Sequence, residues 1–402
     1  MPLASANSSK FTSTRNINMK TYFLIFFLLS SCFTLFSQDT TTQKKLKLNG
    51  YFKELNTISF GDLNSKWTII NMFHNRLNFK WYMTNNLTAK VEMRNRYIFG
   101  DFSLIPDLAT SFEDDNGIIC LNKNIVHESS FFLNSSIDRA FVDFNRGKFQ
   151  FTLGRQRINW GLTFVWNPND IFNTYSYFDF DYEEKPGSDA IRMQYYPGAA
   201  SRWDIAVKAN KDKKVTSAVL YSFNKWNYDL QFLGGMLDEN HYVAGAGWSG
   251  QLAKGGLRGE VSYFRPVRKF EDTSGVVIAS LGYDYTTKKS IFLQLEALYN
   301  GNQDSIGSFN LADFNSNSIS PVNPFLAGYS IFGSIAYPLN PLINASIAGI
   351  YNPKNKIYIL IPVLSFSIND DFDLSVIAQL FRFYDTNLEN GNSVFLRFKW
   401  SF

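Results

Sequence analysis

The sequence predicts an all-β fold, a transmembrane antiparallel up-and-down β-barrel of about 18 strands (16–18) with short periplasmic turns and long extracellular loops. Three observations predict it. Apolar and polar residues alternate at period two over most of the chain, many of these runs reach about ten residues, and the connections alternate between short and long. Of the 402 residues, 45% are hydrophobic, 18% charged and 17% aromatic, the last comprising 39 Phe, 21 Tyr and 8 Trp. So much bulky apolar material with so little charge excludes a disordered chain. A helical membrane protein is excluded too. A helical span needs about 20 consecutive apolar residues, and only the stretch Tyr22–Phe36 approaches that.

Residues 19–37 have the anatomy of a secretory signal peptide: basic Lys20, an apolar block over Tyr22–Leu29, and small residues before Gln38. Met19 is the expected start and residues 1–18 an extra upstream segment, which leaves 38–402 as a single barrel domain. The stretch Leu29-Ser30-Ser31-Cys32 also resembles a lipoprotein box, but apolar residues continue through Phe36. Removing 1–37 takes away Lys10, Arg15 and Lys20, so the 39 basic and 35 acidic residues become 36 and 35. A near-neutral chain carries no nucleic-acid footprint. Only Cys120 remains, so an exported chain must be stable without an internal disulfide.

The strands follow in order. Leu77, Phe79 and Trp81 alternate with Arg76, Asn78 and Lys80; after Thr84-Asn85-Asn86, Leu87, Ala89, Val91 and Met93 alternate with Thr88, Lys90, Glu92 and Arg94. Successive strand side chains point to opposite faces, so this is a hairpin with one apolar and one charged face. Ile191, Met193 and Tyr195 oppose Arg192 and Gln194. Tyr228, Leu230 and Phe232 oppose Asp229 and Gln231, while Leu257, Val261 and Tyr263 oppose Arg258, Glu260 and Ser262. Leu293, Leu295, Ala297 and Tyr299 oppose Gln294 and Glu296. Short turns are expected near Thr84, Asn145–Lys148, Pro197–Ala199, Asn224–Asn227, Ala253–Gly256, Thr286–Lys289, Pro338–Pro341 and Asn369–Asp371. The longest links fall near 101–133, 160–187 and 300–325.

A soluble sandwich also alternates, but in strands of about 5–6 residues. Runs of about ten match a tilted bilayer crossing, and open sheet edges are not tolerated in lipid, so the sheet must close. Many aromatics, such as Trp81, Tyr97, Tyr283, Tyr299 and Tyr337, fall near strand ends, where girdles meet the two interfaces. The last strand alternates Val394, Leu396, Phe398, Trp400 and Phe402 with Arg397, Lys399 and Ser401. A final strand ending in Phe resembles the sorting signal of bacterial outer-membrane barrels, with Phe398, Trp400 and Phe402 as its core. The barrel-assembly machinery and the lipid of a Gram-negative outer membrane are the partners this implies.

The segment 137–173 reads IDRAFVDFNRGKFQFTLGRQRINWGLTFVWNPNDIFN. Its Gly154-Arg155-Gln156, Asn159-Trp160-Gly161 and Asn167-Pro168-Asn169-Asp170 resemble a strand end and loop of porin-like barrels of the alginate-export and substrate-specific type. The motif covers under a tenth of the chain. The resemblance implies an outer-membrane porin that passes small hydrophilic solutes. It leaves the solute open, and trimers are common among such channels, though no strand here announces an interface.

A barrel of 16–18 strands leaves an aqueous channel. Arg76, Lys80, Lys90, Glu92, Arg94, Arg96, Arg139, Arg155, Arg157, Arg192, Arg258 and Glu260 are the candidate pore-lining and selectivity residues, and the early strands lean basic, which favours anions. These side chains could equally pair across strands and brace the wall. The loop 160–187 is the candidate constriction, with Trp160, Trp166, Asp170, Asp179 and Asp181 as its probes. Arg155 and Arg157 at its root could clamp a carboxylate or phosphate, or pair with Asp residues of the same motif. A second reading keeps the barrel but gives it a loop-plugged lumen and a surface-binding or structural role. The acidic run Asp179–Glu184 lacks the spacing of a calcium loop, and no metal or cofactor is expected. Gly245-Ala246-Gly247-Trp248-Ser249-Gly250 matches the dinucleotide fingerprint only formally, because it lies within an alternating strand. His74, His127 and His241 are scattered, so no catalytic constellation supports an enzyme.

Overall fold

The computed structural model describes residues 45–101, 108–174, 184–268, 270–271, 274–302, 319–384 and 390–402. The expected signal segment, Asp179 and Asp181 lie outside them. Nineteen strands follow in order, starting with β1 (Leu46–Phe60), β2 (Thr68–Tyr82), β3 (Leu87–Gly100), β4 (Asn122–His127), β5 (Phe131–Arg146) and β6 (Phe149–Gln156). Then come β7 (Ser188–Gly198), β8 (Ser201–Ala209), β9 (Val215–Lys225), β10 (Tyr228–Leu237), β11 (His241–Leu252) and β12 (Gly255–Pro266). The chain ends with β13 (Val276–Thr286), β14 (Phe292–Asn300), β15 (Gly328–Asn340), β16 (Ile343–Asn352), β17 (Ile357–Ser367), β18 (Phe372–Phe383) and β19 (Gly391–Ser401). One four-residue helix, Leu108–Ser111, precedes β4.

All pairings are antiparallel, and β1 pairs with both β2 and β19, so the sheet closes on itself. Eighteen strands make the circuit. The extra one, β4, pairs only with β5, at Phe132–Ser136, on the edge opposite β3. β6 covers that same edge of β5 only from Ala140 to Arg146. β4 therefore continues the wall where β6 stops and the chain turns inward. Closure at the seam extends to the last residue, whose N–H and C=O both bond Gly50, at 2.9 and 3.0 Å.

All eight expected short turns lie at one end of the barrel, together with the start of β1 and the end of β19. The other end carries the long links 101–130, 157–187 and 301–327, but also the tight links 210–214, 238–240 and 353–356. The two ends differ as expected, although the loop end is not uniformly long. Alternation places Leu77, Phe79, Trp81, Leu295 and Leu396 outside, and Arg76, Glu92, Glu260 and Glu296 inside and buried. Outward aromatics form two girdles: Trp81, Tyr337, Trp400 and Phe402 at the short-turn end, and Tyr97, Tyr263, Tyr299 and Tyr329 at the loop end.

The interior is not lined only by charge. Leu220, Leu233, Phe264, Ile278, Leu298, Phe332, Ile350, Ile359 and Phe381 point inward and are buried near the loop end. They pack with Ile158, Trp160, Val165, Trp166, Ile171 and Phe172 of the long link after β6, and with Phe325 and Leu326 of the link after β14. Much of the wall thus presents an apolar inner face to folded-in loops. A second, smaller cluster joins Leu55, Met72, Ile98 and Phe132 to Ala109.

Candidate functional site

The charged wall lies on β2, β3 and β5. Arg76, fully buried, sends Nη2 to Glu92 and Nη1 to Asp138, each at 2.5 Å, and lies 3.5 Å from Glu184. Arg94 approaches Asp138 at 3.4 Å, Arg139 approaches Glu92 at 3.4 Å, and Lys90 also pairs with Glu92. Pairing slips between Glu92 and Met93, opposite Arg139 and Ile137, and leaves Asp138 as the extra residue of a β-bulge. A bulge re-aims side chains. Here it turns two successive residues, Asp138 and Arg139, into the same network. Arg96 donates to Asn134 at 2.7 Å and lies over the Phe112 ring at 4.4 Å. Lys80 stands 4.6 Å from the Tyr82 ring.

Facing this wall, the segment 157–174 is held in the lumen by five inward groups on four other strands. Glu260 on β12 accepts the backbone N–H groups of Leu162, Thr163 and Asn169 and the Thr163 hydroxyl. Glu296 on β14 accepts those of Phe164, Val165 and Trp166, at 2.8 to 3.2 Å. Gln231 on β10 donates to the Trp160 carbonyl at 2.6 Å, and Lys208 on β8 to that of Phe172 at 2.8 Å. The indole N–H of Trp160 reaches Asp204 on β8 at 3.1 Å. Buried backbone donors away from water require such acceptors, so the carboxylates fix the path of the segment. The fingerprint-like glycines of β11 belong to the same packing. A Cβ on Gly245 would stand 2.5 Å from Asn169 Oδ1, and one on Gly247 3.0 Å from Asn169 Nδ2. Asn169 also bonds Ala246 O and Ser262 Oγ.

The two arginines at the root of the segment have different surroundings. Arg155 grips Asp189 with Nε at 2.7 Å and Nη2 at 2.9 Å, meets Asp115 at 2.8 Å and donates to Ile119 O at 2.6 Å. It thus ties the link after β3 to β7. Arg157 pairs with Asp170 at 3.1 Å. Arg192 makes a two-pronged contact with Asp204, at 2.9 and 2.6 Å, and Arg258 pairs with Asp284 at 3.0 Å while lying over the Phe164 ring at 3.9 Å. Asp115, Asp138, Asp189, Asp204, Lys208 and Glu296 were not among the sequence candidates. The available signal was the loss of alternation in Ala297-Leu298-Tyr299, Ile331-Phe332 and Ile357-Tyr358-Ile359-Leu360, where both faces are apolar because the inner one meets a folded-in loop. Between the wall and the segment lies a cavity of about 420 Å³, reached by Arg94, Asp138, Lys185, Asp189 and Lys208.

The sequence matches no protein-family model and no curated protein. Solved structures do match. OccAB4 of Acinetobacter baumannii superposes with a TM-score of 0.54 at 11% identity, covering 90% of this chain and 100% of that one. OprD of Pseudomonas aeruginosa gives 0.55 at 9%, covering 89% and 95%, and OccD3 (OpdP) of the same organism 0.53 at 9%, covering 88% and 91%. The chain has the OprD porin fold. At such low identity the likeness extends to the fold, and the side chains of the lumen are this chain's own.

Within this porin fold, Asp170 is the buried acid of the inward segment. Burial pushes its carboxyl up from 3.8 to about 6, against the opposing pull of Arg157, Lys185 and Lys208. Burial also pushes the Lys185 ammonium down, to about 8. An acid whose pKa is higher in the packed state favours packing below its free value, and that contribution is lost as pH rises through about 6. Current through the barrel is therefore expected to become noisier between about pH 4 and 6.5 as the segment loosens. The Asp170→Asn variant should stay equally quiet across this window. Noise that changes with pH equally in both proteins would assign the effect to another group.

Proposed function

We propose that the chain is an outer-membrane channel that passes small hydrophilic solutes through a lumen narrowed by the segment 157–174. The observation that carries this reading is the pairing of a fixed inward segment with a charged wall on β2, β3 and β5 across a common cavity. Fixed charges beside a water path sort solutes by charge. Among the described residues the cavity lining is of mixed charge, four cations (Arg94, Arg155, Lys185 and Lys208) against five aspartates, so the preference for anions proposed here rests on where these side chains stand and not on their number. Export by the segment 19–37, insertion through the C-terminal strand with Phe398, Trp400 and Phe402, and a trimeric assembly belong to the same proposal. Phe398 and Trp400 stand against Phe372 on the outer face, accessible to an assembly factor.

Purified protein should raise the conductance of planar bilayers in discrete steps. Under a salt gradient, replacing Arg155 and Arg157 with Ala should move the reversal potential toward cations. Silent bilayers in every salt, with liposomes that retain their solutes, would refute the channel. One observation favours a second reading, a structural or surface-binding barrel. The apolar cluster formed by the inward segment and Phe325 with the inner wall is large enough to act as a plug. Liposome swelling separates the two, because a plugged barrel admits no sugar of any size.

A further inference from the structure

On the outer face, Gly333 of β15 and Gly349 of β16 are direct partners in the ladder, flanked by Leu295 of β14 and Leu360 of β17. Neither glycine is required by the backbone. A Cβ on Gly333 would meet nothing closer than 4.0 Å, and one on Gly349 nothing closer than 3.6 Å, and neither has a left-handed φ. The missing side chains instead leave two hollows of about 670 and 950 Å³ that share this floor. Their walls are Ile331, Ile335, Ile347 and Leu360, all exposed on the lipid-facing side.

The larger hollow runs toward the loop end and changes chemistry there. Tyr351 and Tyr358 stack at 4.4 Å, Tyr384 meets Tyr358 edge-on at 5.5 Å, and Lys356 and Arg382 complete the rim. Arg382 is the register partner of Tyr358 and shares the outward face with Leu380. Among the described residues its bonds go to neutral oxygens only, Phe381 O at 2.8 Å, Asn392 Oδ1 at 2.9 Å and Gly391 O at 3.4 Å. A cation on the lipid face is tolerated near an interface, where a guanidinium meets phosphate oxygens.

We propose that this groove is a binding site for a lipid of the outer leaflet that carries a phosphorylated head. An acyl chain lies over Gly333 and Gly349, and the phosphate lies against Arg382 and Lys356. The site rests on the reading of the chain as an outer-membrane barrel with its long loops outside, but it is separate from transport. Basic pockets at the membrane surface recognise anionic headgroups in this way, each cation contributing about a fivefold gain in affinity.

The test is native mass spectrometry of the barrel purified in detergent and titrated with diphosphoryl lipid A or its dephosphorylated form, with bilayer conductance measured on the same samples. Wild type should retain the phosphorylated lipid preferentially. Arg382→Gln should lower its retention about fivefold and abolish the preference. The Gly333→Leu/Gly349→Leu pair should lower retention of both lipids while conductance is unchanged. If the leucines prevent folding, judged by gel mobility with and without heating, the Gly333→Ala/Gly349→Ala pair takes their place. Equal retention of both lipids by wild type, or unchanged retention in the variants, overturns the site. So does a wild-type oligomer that the filled groove converts to monomer with lipid retention intact, which would assign the groove to a second copy. Lost conductance with intact lipid discrimination would count against the channel and not against the groove.

Discussion

Glu296→Leu is expected to release the inward segment and give a larger, noisier single-channel current. The carboxylate accepts three successive backbone N–H groups, those of Phe164, Val165 and Trp166. Leucine fills similar volume but accepts nothing. Each buried donor left without a partner costs about 1–3 kcal/mol. Even at the low end, three of them shift the balance between packed and displaced segment more than about a hundredfold. Glu296→Gln keeps one acceptor oxygen and should have a smaller effect. Protease added to the loop side gives an independent readout, since 157–174 should become cleavable only in the leucine variant. An unchanged current and unchanged cleavage would mean that the apolar contacts of Trp160, Ile171 and Phe172 hold the segment alone.

The second large effect is on stability. Arg76→Met removes the fully buried cation that bridges Glu92 and Asp138. Stripping one partner from a buried ionic network costs about 3–5 kcal/mol, because the remaining charges stay desolvated. Lys90 and Arg139 remain beside Glu92, and Arg94 beside Asp138, so the lower end of that range applies. The heat or urea midpoint of the folded band should fall accordingly, and Arg76→Met combined with Asp138→Asn should recover part of the loss. A midpoint unchanged in Arg76→Met would mean that water reaches the cluster and solvates both carboxylates.

Most of the wall was legible in the sequence because a strand in a bilayer has a strict rule, one side chain to lipid and the next to the lumen. That rule placed Arg76, Glu92, Arg192, Glu260 and Glu296 inside and located all eight short turns. What the sequence did not reveal is who meets whom across the lumen. Asp204 with Trp160, or Asp115 with Arg155, are contacts between segments 44 and 40 residues apart in the chain, and nothing local marks them. Asp138 was hidden for another reason. It sits at a bulge, where the period of two slips by one residue, so a parity count along β5 misplaces either it or Arg139. The apolar inner face near the loop end was visible as doubled hydrophobicity, but that pattern gains its meaning only once a folded-in segment is known to cover it.

The patch made by β4 sets a rule for how such a chain can change over time. Loops at the rim of a barrel ordinarily drift freely in length and composition. The link between β3 and β5 does not have that freedom, because part of it stands in for the upper half of β6 and is bolted through Asp115 to Arg155. Shortening it would leave a sideways window between lumen and lipid beside the point where the chain dives inward. Two stretches that look like separate loops in sequence are therefore bound to evolve together, the inward segment allowed by its shutter and the shutter needed because of the segment.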